Sequence, residues 1–353
     1  MSKCPLASNE TVSPCVCTVK KNGLDLMCEN TDHSHISRAM TILKGKNVVI
    51  YYLKLRHNTL PKMQGRVPIL EIVLVKFSAE NCNAKKFMFL GLDIRHLTIH
   101  NSNLTVLEEA ALSSLGKGLT QLDLSQNSIL QVPTASIKTL HALLILNLNH
   151  NNINSIHAKA FEGLDTLEIL TLYANKITNI ENNAFKGLEK KLRRLNLGGN
   201  LLEAIPTAPL AQLDTLRKLE IQENRITNIS EGDFEGLSLL DYLSLAHNQL
   251  KHIPARAFAN LGQLNSLELD GNYITHLDPD AFVGLDGKYT LNNKFKFKNI
   301  KFPTNCENIR IYISLTLRQY TILLYIIFFP TFSCFLPVFF YVTKSIHYKI
   351  HYV

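Results

Sequence analysis

The stretch Leu143–Ile153 reads LLILNLNHNNI, and its residue pattern decides the fold. Leucines occupy its first, fourth and sixth positions, an asparagine its ninth and an isoleucine its eleventh. The same pattern recurs along the chain, and its starting residues are Leu119, Leu143, Leu167, Leu192, Leu216, Leu240 and Leu264. The starts follow one another with a period of 24, interrupted by a single interval of 25. A fixed period sustained over seven consecutive matches indicates a repeat architecture.

Each repeat is expected to form one coil of a solenoid. The alternating leucines have the period of a short strand, so the leucines face the core and the residues between them face outward. The asparagine follows where the chain leaves the strand, and its amide can both donate to and accept from backbone groups of adjacent coils. These predicted ladder asparagines are Asn58, Asn127, Asn151, Asn175, Asn200, Asn224, Asn248 and Asn272.

The pattern is the leucine-rich repeat signature. We therefore predict an α/β repeat solenoid over residues 41–287, curved into a leucine-rich repeat horseshoe with a parallel sheet on its concave face. A single coil cannot bury its own apolar face, so the stability of each coil depends on its neighbours.

Four cysteines precede the repeats: Cys4, Cys15, Cys17 and Cys28. A cluster of this kind ahead of an apolar array is typical of a disulfide-stapled cap, which we assign to residues 1–40. A zinc site is the alternative, but C-x-C is a poor chelating pair and no histidine falls at finger spacing. We predict disulfides, whose pairing the spacing leaves open, and hence an oxidising compartment.

The chain opens with MSKCPLASNE and lacks the apolar stretch of a signal peptide. We expect the N-terminus to be incomplete, and export by another route is the alternative. N-glycosylation sequons begin at Asn9, Asn103 and Asn228, all in predicted loops or just beyond a strand. These positions are compatible with secretion.

Residues 66–86 match no part of the repeat template. They separate the coil that starts at Ile50 from the one that starts at Ile94, so that these two starts lie well over one period apart. We interpret the segment as an atypical insertion. It is either a functional loop or retained non-coding sequence, and we favour the second.

Residues 288–353 carry nine Lys or Arg and one acidic residue, which accounts for the whole net charge of +8. Residues 1–287 therefore sum to zero, which argues against nucleic acid as a partner. We divide the region into a basic linker (288–320), a candidate transmembrane segment (Thr321–Val342) and a short tail (343–353).

The candidate transmembrane segment is rich in apolar residues and contains no charged one. As a helix it is long enough to span the hydrocarbon core of a bilayer, so a membrane partner is predicted through this segment. Accidental translation of AT-rich non-coding sequence is the alternative, and both interpretations stay open.

No catalytic or metal-binding constellation is recognisable, so we predict neither an enzyme nor a cofactor. The outward strand positions instead offer a wide binding face. Within it, Ile145, Ile169 and Tyr173 form an apolar centre with a polar rim, as in protein interfaces. The predicted partner-binding residues are Ile145, Asn147, Asn149, Ile169, Thr171, Tyr173, Arg194 and Asn196.

The repeats resemble the extracellular "typical" leucine-rich repeat class, and residues 4–28 resemble its cysteine-rich N-terminal flank. The bonding order of that flank implies the disulfides Cys4–Cys17 and Cys15–Cys28. The opening CPLASNETVSPCVC and the later GLDLMC are also similar to a group of secreted arthropod repeat proteins, many of them named after the non-catalytic subunit of a shrimp luciferase. The resemblance implies protein recognition or adhesion and no enzyme activity.

We therefore predict an extracellular protein, either secreted or anchored at the cell surface, that binds a protein ligand on its concave face. The alternative is a non-catalytic subunit that stabilises a secreted enzyme complex.

Overall fold

The computed structural model describes residues 118–285 continuously. It also describes residues 12–21, 23–31, 50–56 and 94–107, the strands given below and a few single positions before residue 118. The chain forms two compact units. The first comprises Met1–Lys176 and Ala184–Lys191, and the second comprises Ile177–Asn183 and Leu192–Val353.

The first unit is built on a sheet that gains one strand per coil. The strands of the first unit are β1 (Val16–Lys20), β2 (Gly23–Glu29), β3 (Ile50–Arg56), β4 (Leu74–Glu80), β5 (His96–His100), β6 (Gln121–Asp123), β7 (Ile145–Asn147), β8 (Ser155–Ile156) and β9 (Ile169–Thr171), and all of them except β8 belong to this sheet. Strands β1 and β2 pair antiparallel. From β2 onward the sheet is parallel, in the order β2-β3-β4-β5-β6-β7-β9.

The second unit repeats this plan. Its strands are β10 (Asn179–Ile180), β11 (Arg194–Asn196), β12 (Lys218–Glu220), β13 (Tyr242–Ser244), β14 (His252–Ile253), β15 (Ser266–Glu268), β16 (His276–Leu277), β17 (Lys294–Lys296), β18 (Arg310–Ser314), β19 (Leu323–Ile327), β20 (Phe339–Val342) and β21 (Tyr348–His351). Strands β11-β12-β13-β15-β17 form a parallel sheet, and β14 and β16 form a separate parallel pair. Strands β18 and β19, and β20 and β21, pair antiparallel.

Most of the described return segments are turns rather than helices. Within residues 118–285, two short helices occur, α1 (Thr134–Ile137) in the first unit and α2 (Thr207–Leu210) in the second. Each follows a proline, Pro133 or Pro206, whose restricted φ suits the start of a helix.

The leucines of the repeat form the core, as the pattern predicts. In the coil that begins at Leu143, the side chains of Leu143, Leu146 and Leu148 are 0% exposed. Behind them, phenylalanines from successive coils stack face to face, for example Phe161 on Phe185 with ring centroids 6.0 Å apart. Burying one such side chain contributes about 1.5–3 kcal/mol to the stability of the fold. The burial of the repeat leucines confirms the predicted solenoid and the position of its core.

The ladder asparagines are buried and bonded to the backbone. The Oδ1 of Asn151 accepts the N–H of Ile129 at 3.0 Å, and its Nδ2 donates to the carbonyls of Leu124 at 2.9 Å and Leu148 at 3.2 Å. Corresponding bonds are made by Asn127, Asn175, Asn200, Asn224, Asn248 and Asn272. Asn58 lies outside the described residues.

Strand β4 lies within residues 66–86, the segment interpreted from sequence as an insertion outside the repeat. It pairs in parallel with both β3 and β5. Leu74 is the register partner of Ile50, which lies one repeat period earlier, whereas Phe77 is the partner of Leu97 at an offset shorter than the period. Phe77 and Ala79 stand in the leucine positions of the template. The structure therefore differs from the prediction, because this stretch contributes a strand to the sheet.

The region after residue 287 also adds to the sheet. Strand β17, within the predicted linker 288–320, pairs with β15, and Lys294 is the partner of Ser266 at an offset longer than the repeat period. Of the candidate transmembrane segment Thr321–Val342, only β19 and β20 are among the described residues. Among the helices that the structure describes, none combines the length and apolarity needed to cross a bilayer.

The N-terminal region contains a disulfide between Cys15, just before β1, and Cys28 in β2. This is one of the two bonds that the resemblance implies. Cys17 is disulfide-bonded as well. Cys4 and the sequon residue Asn9 lie outside the described residues, so the Cys4–Cys17 bond stays a prediction.

Candidate functional site

The outward positions of β7 and β9 bring the predicted apolar centre together. Ile145 is the register partner of Ile169, and Asn147 is the partner of Thr171. The leucines between them are buried, so strand alternation turns these four side chains to the opposite face, where they are partly exposed. Six predicted residues lie on this face of the first unit and are called the first-unit patch: Ile145, Asn147, Asn149, Ile169, Thr171 and Tyr173.

Hydrogen bonds fix the polar members of the first-unit patch. The Oδ1 of Asn147 accepts the backbone N–H of Asn149 at 3.0 Å and the hydroxyl of Thr171 at 3.1 Å. The Oδ1 of Asn149 accepts the backbone N–H of Tyr173 at 2.7 Å. The ring of Tyr173 meets His150 edge-on, with centroids 5.6 Å apart. These contacts already restrict the conformational freedom of the Asn147, Asn149 and Thr171 side chains in the free chain.

The sheet of the second unit carries a different surface, centred on Glu220. The Nε of Arg194 donates to Oε2 of Glu220 at 2.8 Å and its Nη2 to Oε1 at 3.2 Å. The Nζ of Lys218 lies 3.2 Å from the same Oε1. The Glu220 side chain is only 10% exposed, whereas those of Arg194 and Lys218 are 40% and 36% exposed. Two cations thus compensate one largely buried carboxylate.

A second carboxylate extends this cluster. The hydroxyl of Tyr242 donates to Oε2 of Glu268 at 2.7 Å, and the hydroxyl of Ser244 donates to the same oxygen at 3.2 Å. Burial, reinforced by the bond to Glu268, raises the pKa of the Tyr242 hydroxyl above its ordinary value. The Nζ of Lys218 lies 4.2 Å from the centroid of the Tyr242 ring and so connects the two carboxylate groups. We call Arg194, Lys218, Glu220, Tyr242 and Glu268 the charged cluster.

Two of the predicted partner-binding residues belong to this second unit. Arg194 is engaged with Glu220, as described above. Asn196 is only 8% exposed, and its Oδ1 accepts the backbone N–H of Gly198 at 2.9 Å. The structure differs from the prediction at Asn196, because the side chain serves the backbone and offers little surface to a partner.

Sequence reasoning missed the linkage within the charged cluster. Both Arg194 with Glu220 and Tyr242 with Glu268 are separated by 26 residues, one period plus two. This spacing places side chains diagonally across neighbouring strands on one face. Donor and carboxylate pairs at that spacing are the signal that would have revealed the cluster.

The predictions about metal ligands and sequons can also be compared with the described part of the chain. Within it, no group of three or more His, Cys, Asp or Glu side chains is arranged to hold a metal ion. The sequon asparagines Asn103 and Asn228 are both exposed.

The sequence comparison identifies the family. The Leucine rich repeat family matches residues 93–153, 141–202, 190–250 and 242–287, which together cover more than half of the chain. The chain is a leucine-rich repeat protein. No curated protein sequence matches it significantly, so the resemblance to proteins named after the luciferase subunit stays a prediction.

Two solved structures illustrate the fold that this leucine-rich repeat protein shares with others. A chain of the Drosophila Toll–Spatzle complex matches with a TM-score of 0.61 at 18% identity, over 76% of this chain and 36% of the Toll-complex chain. This chain therefore spans only about a third of that relative. A chain of the octameric complex of Latrophilin 3, Unc5D and FLRT2 (LRR) matches with a TM-score of 0.61 at 26% identity, over 73% of this chain and 77% of the matched one.

Proposed function

We propose that this leucine-rich repeat protein recognises a protein ligand outside the cell through the first-unit patch. The observation that carries the proposal is the pair of neighbouring isoleucines, Ile145 and Ile169, which are partly exposed on strands whose central leucines are buried in the core. Tyr173 adds an aromatic side chain, and aromatic side chains in apolar surroundings dominate binding energy at protein interfaces. Asn147, Asn149 and Thr171 supply the polar rim.

The structural relatives support a protein partner. The match at 26% identity comes from an assembly of FLRT2 (LRR) with Latrophilin 3 and Unc5D, so a related repeat domain occurs in a complex with other proteins. The match to the Toll–Spatzle complex supports the fold. The neutral charge of residues 1–287 supports a protein partner over a nucleic acid.

The compartment is proposed from covalent chemistry. The disulfide between Cys15 and Cys28 is typical of an oxidising environment. Exposed asparagines at the sequons of Asn103 and Asn228 suit glycosylation during secretion. We infer a secreted or cell-surface protein.

Site-specific photocrosslinking tests the proposal. A photoreactive phenylalanine analogue replaces Tyr173 in one full-length chain and Tyr273 in another; Tyr273 is 58% exposed and lies outside the sheet strands. Both chains are illuminated in the extracellular fluid of the tissue that expresses the protein. We expect one defined protein adduct at position 173 and none at position 273. Absence of an adduct at 173, or the same adducts at both positions, contradicts the proposal.

The identity of the adduct also separates the two predicted roles. A receptor, adhesion molecule or secreted ligand as the captured protein supports recognition. A secreted enzyme that loses activity when this chain is removed supports the alternative, a non-catalytic stabilising subunit.

A further inference from the structure

Strands β14 and β16 carry two histidines side by side, apart from the sheet that bears the charged cluster. His252 and His276 are register partners in this parallel pair, and both are exposed. Their ring centroids lie 5.0 Å apart, and their planes are tilted by 52°.

The backbone explains why both rings face solvent. Ile253 follows His252 and is fully buried, so strand alternation directs His252 to the outside. The backbone N–H groups of Thr275 and His276 donate to the carbonyl of Lys251 at 2.9 Å and 3.3 Å, which fixes the two strands in register. The paired position of the histidines is therefore set by the core and the backbone.

The separation of the rings suits a shared metal ion. Imidazole nitrogens bind Zn²⁺ at about 2.0–2.1 Å, so two rings on one tetrahedral ion have centroids roughly 5 Å apart. Rotation about the side-chain torsions of two exposed histidines is sufficient to aim a nitrogen from each ring at a common point. Nitrogen ligands favour Zn²⁺, Cu²⁺ and Ni²⁺, whereas Ca²⁺ and Mg²⁺ prefer oxygen.

We propose that His252 and His276 form a two-histidine site for a divalent transition metal of the zinc class, with water completing the coordination. The bound ion connects two successive coils of the second unit. It stabilises that unit by mass action, because a preformed pair of this kind exists only in the folded chain.

Calorimetric titration of the tag-free, full-length protein with ZnCl₂ tests the site. The variants are His252→Asn, His276→Asn and the double variant, and the control is His141→Asn, whose side chain is 66% exposed in the first unit. Melting curves without metal verify that each variant is folded. A parallel titration with CaCl₂ tests the preference for nitrogen ligands.

We expect each single substitution to weaken Zn²⁺ affinity by about tenfold or more, because the second histidine binds an ion already held by the first at high effective concentration. The double variant should lose little beyond either single variant, and the control should bind like the unmodified chain. CaCl₂ should give no comparable heat. Unchanged affinity in either single variant, or losses that add as for independent sites, overturns the proposal.

Discussion

The side chain of Asn151 provides hydrogen bonds to backbone groups that have no partner in regular secondary structure. It accepts the backbone N–H of Ile129 from the preceding coil and donates to carbonyls of both coils. These backbone groups lie in the interior, where an unpaired polar group costs about 1–3 kcal/mol. One asparagine therefore stabilises two coils together.

We predict that Asn151→Ala lowers the free energy of unfolding by about 2–5 kcal/mol, because it leaves more than one buried backbone group unpaired. Urea denaturation followed by circular dichroism measures the loss. Asn154→Ala is the matched control, since Asn154 is exposed and its Oδ1 accepts the hydroxyl of the adjacent Ser155. Equal stability of the two variants would show that the ladder contributes little.

Glu220 also stabilises neighbouring coils, in this case through its ion pairs with Arg194 and Lys218. We predict that Glu220→Gln destabilises the second unit by about 1–3 kcal/mol, since it leaves Arg194 and Lys218 adjacent without their carboxylate; the exposure of both cations keeps the loss below that of a fully buried pair.

A double-mutant cycle with Arg194→Met checks this explanation, again by urea denaturation. The double variant should be more stable than the sum of the single losses predicts, because removing one cation relieves the repulsion. Strictly additive losses would rule out coupling between the two side chains.

At the scale of the coil, close packing of successive turns constrains the backbone. Gly163 has a φ of +86°, and a Cβ there would overlap the backbone carbonyl of Lys138 in the preceding coil. Gly232 has a similar φ of +95°, but a Cβ there would meet nothing within 4 Å. A residue with a Cβ would be strained at both positions, but only at Gly163 would it also lack space.

We therefore predict that Gly232→Ala costs about 1 kcal/mol for the positive φ alone. Gly163→Ala should cost about 1–3 kcal/mol more, because the carbonyl of Lys138 must move to admit the methyl group. Thermal melting of both variants measures the difference. If Gly163→Ala is the more stable of the two, the described spacing between these coils is incorrect.

The sequence predicted the elements where the leucine pattern is intact. Leu143, Leu146 and Leu148 are buried because strand alternation is a local property that residue identity reveals. The pattern failed at β4, where Phe77 and Ala79 replace leucines, so only the pairing with β3 and β5 shows the coil. It also failed at β17, whose offset from β15 departs from the repeat period.

The candidate site was predicted less completely. Alternation indicates which way a side chain points but not how far its neighbours cover it. Asn196 points outward by position yet is buried, and Glu220 is almost enclosed by Arg194 and Lys218. Side-chain contacts between neighbouring coils join residues that are 24 or 26 positions apart in the sequence. The alternation of residues within one strand does not reveal these contacts.

At the scale of the whole molecule, the proposed extracellular location predicts glycosylation. When the chain is directed through a secretory pathway, Asn103 and Asn228 should both carry glycans because both asparagines are exposed. Enzymatic removal of N-glycans should reduce the mass, and Asn103→Gln and Asn228→Gln should each remove one part of that change. A secreted chain whose mass is unaffected by both substitutions would contradict the prediction at these sites.

The central claim is that the first-unit patch binds a protein, and an affinity measurement with the protein captured at position 173 tests it most directly. Chains carrying Tyr173→Asp or Tyr273→Asp are compared with the unmodified chain, and all three should have the same melting temperature. We predict that Tyr173→Asp weakens binding about 30-fold or more, the loss of about 2 kcal/mol expected of an aromatic anchor, while Tyr273→Asp has no effect. Equal affinities for all three chains would contradict the assignment of the first-unit patch as the binding surface.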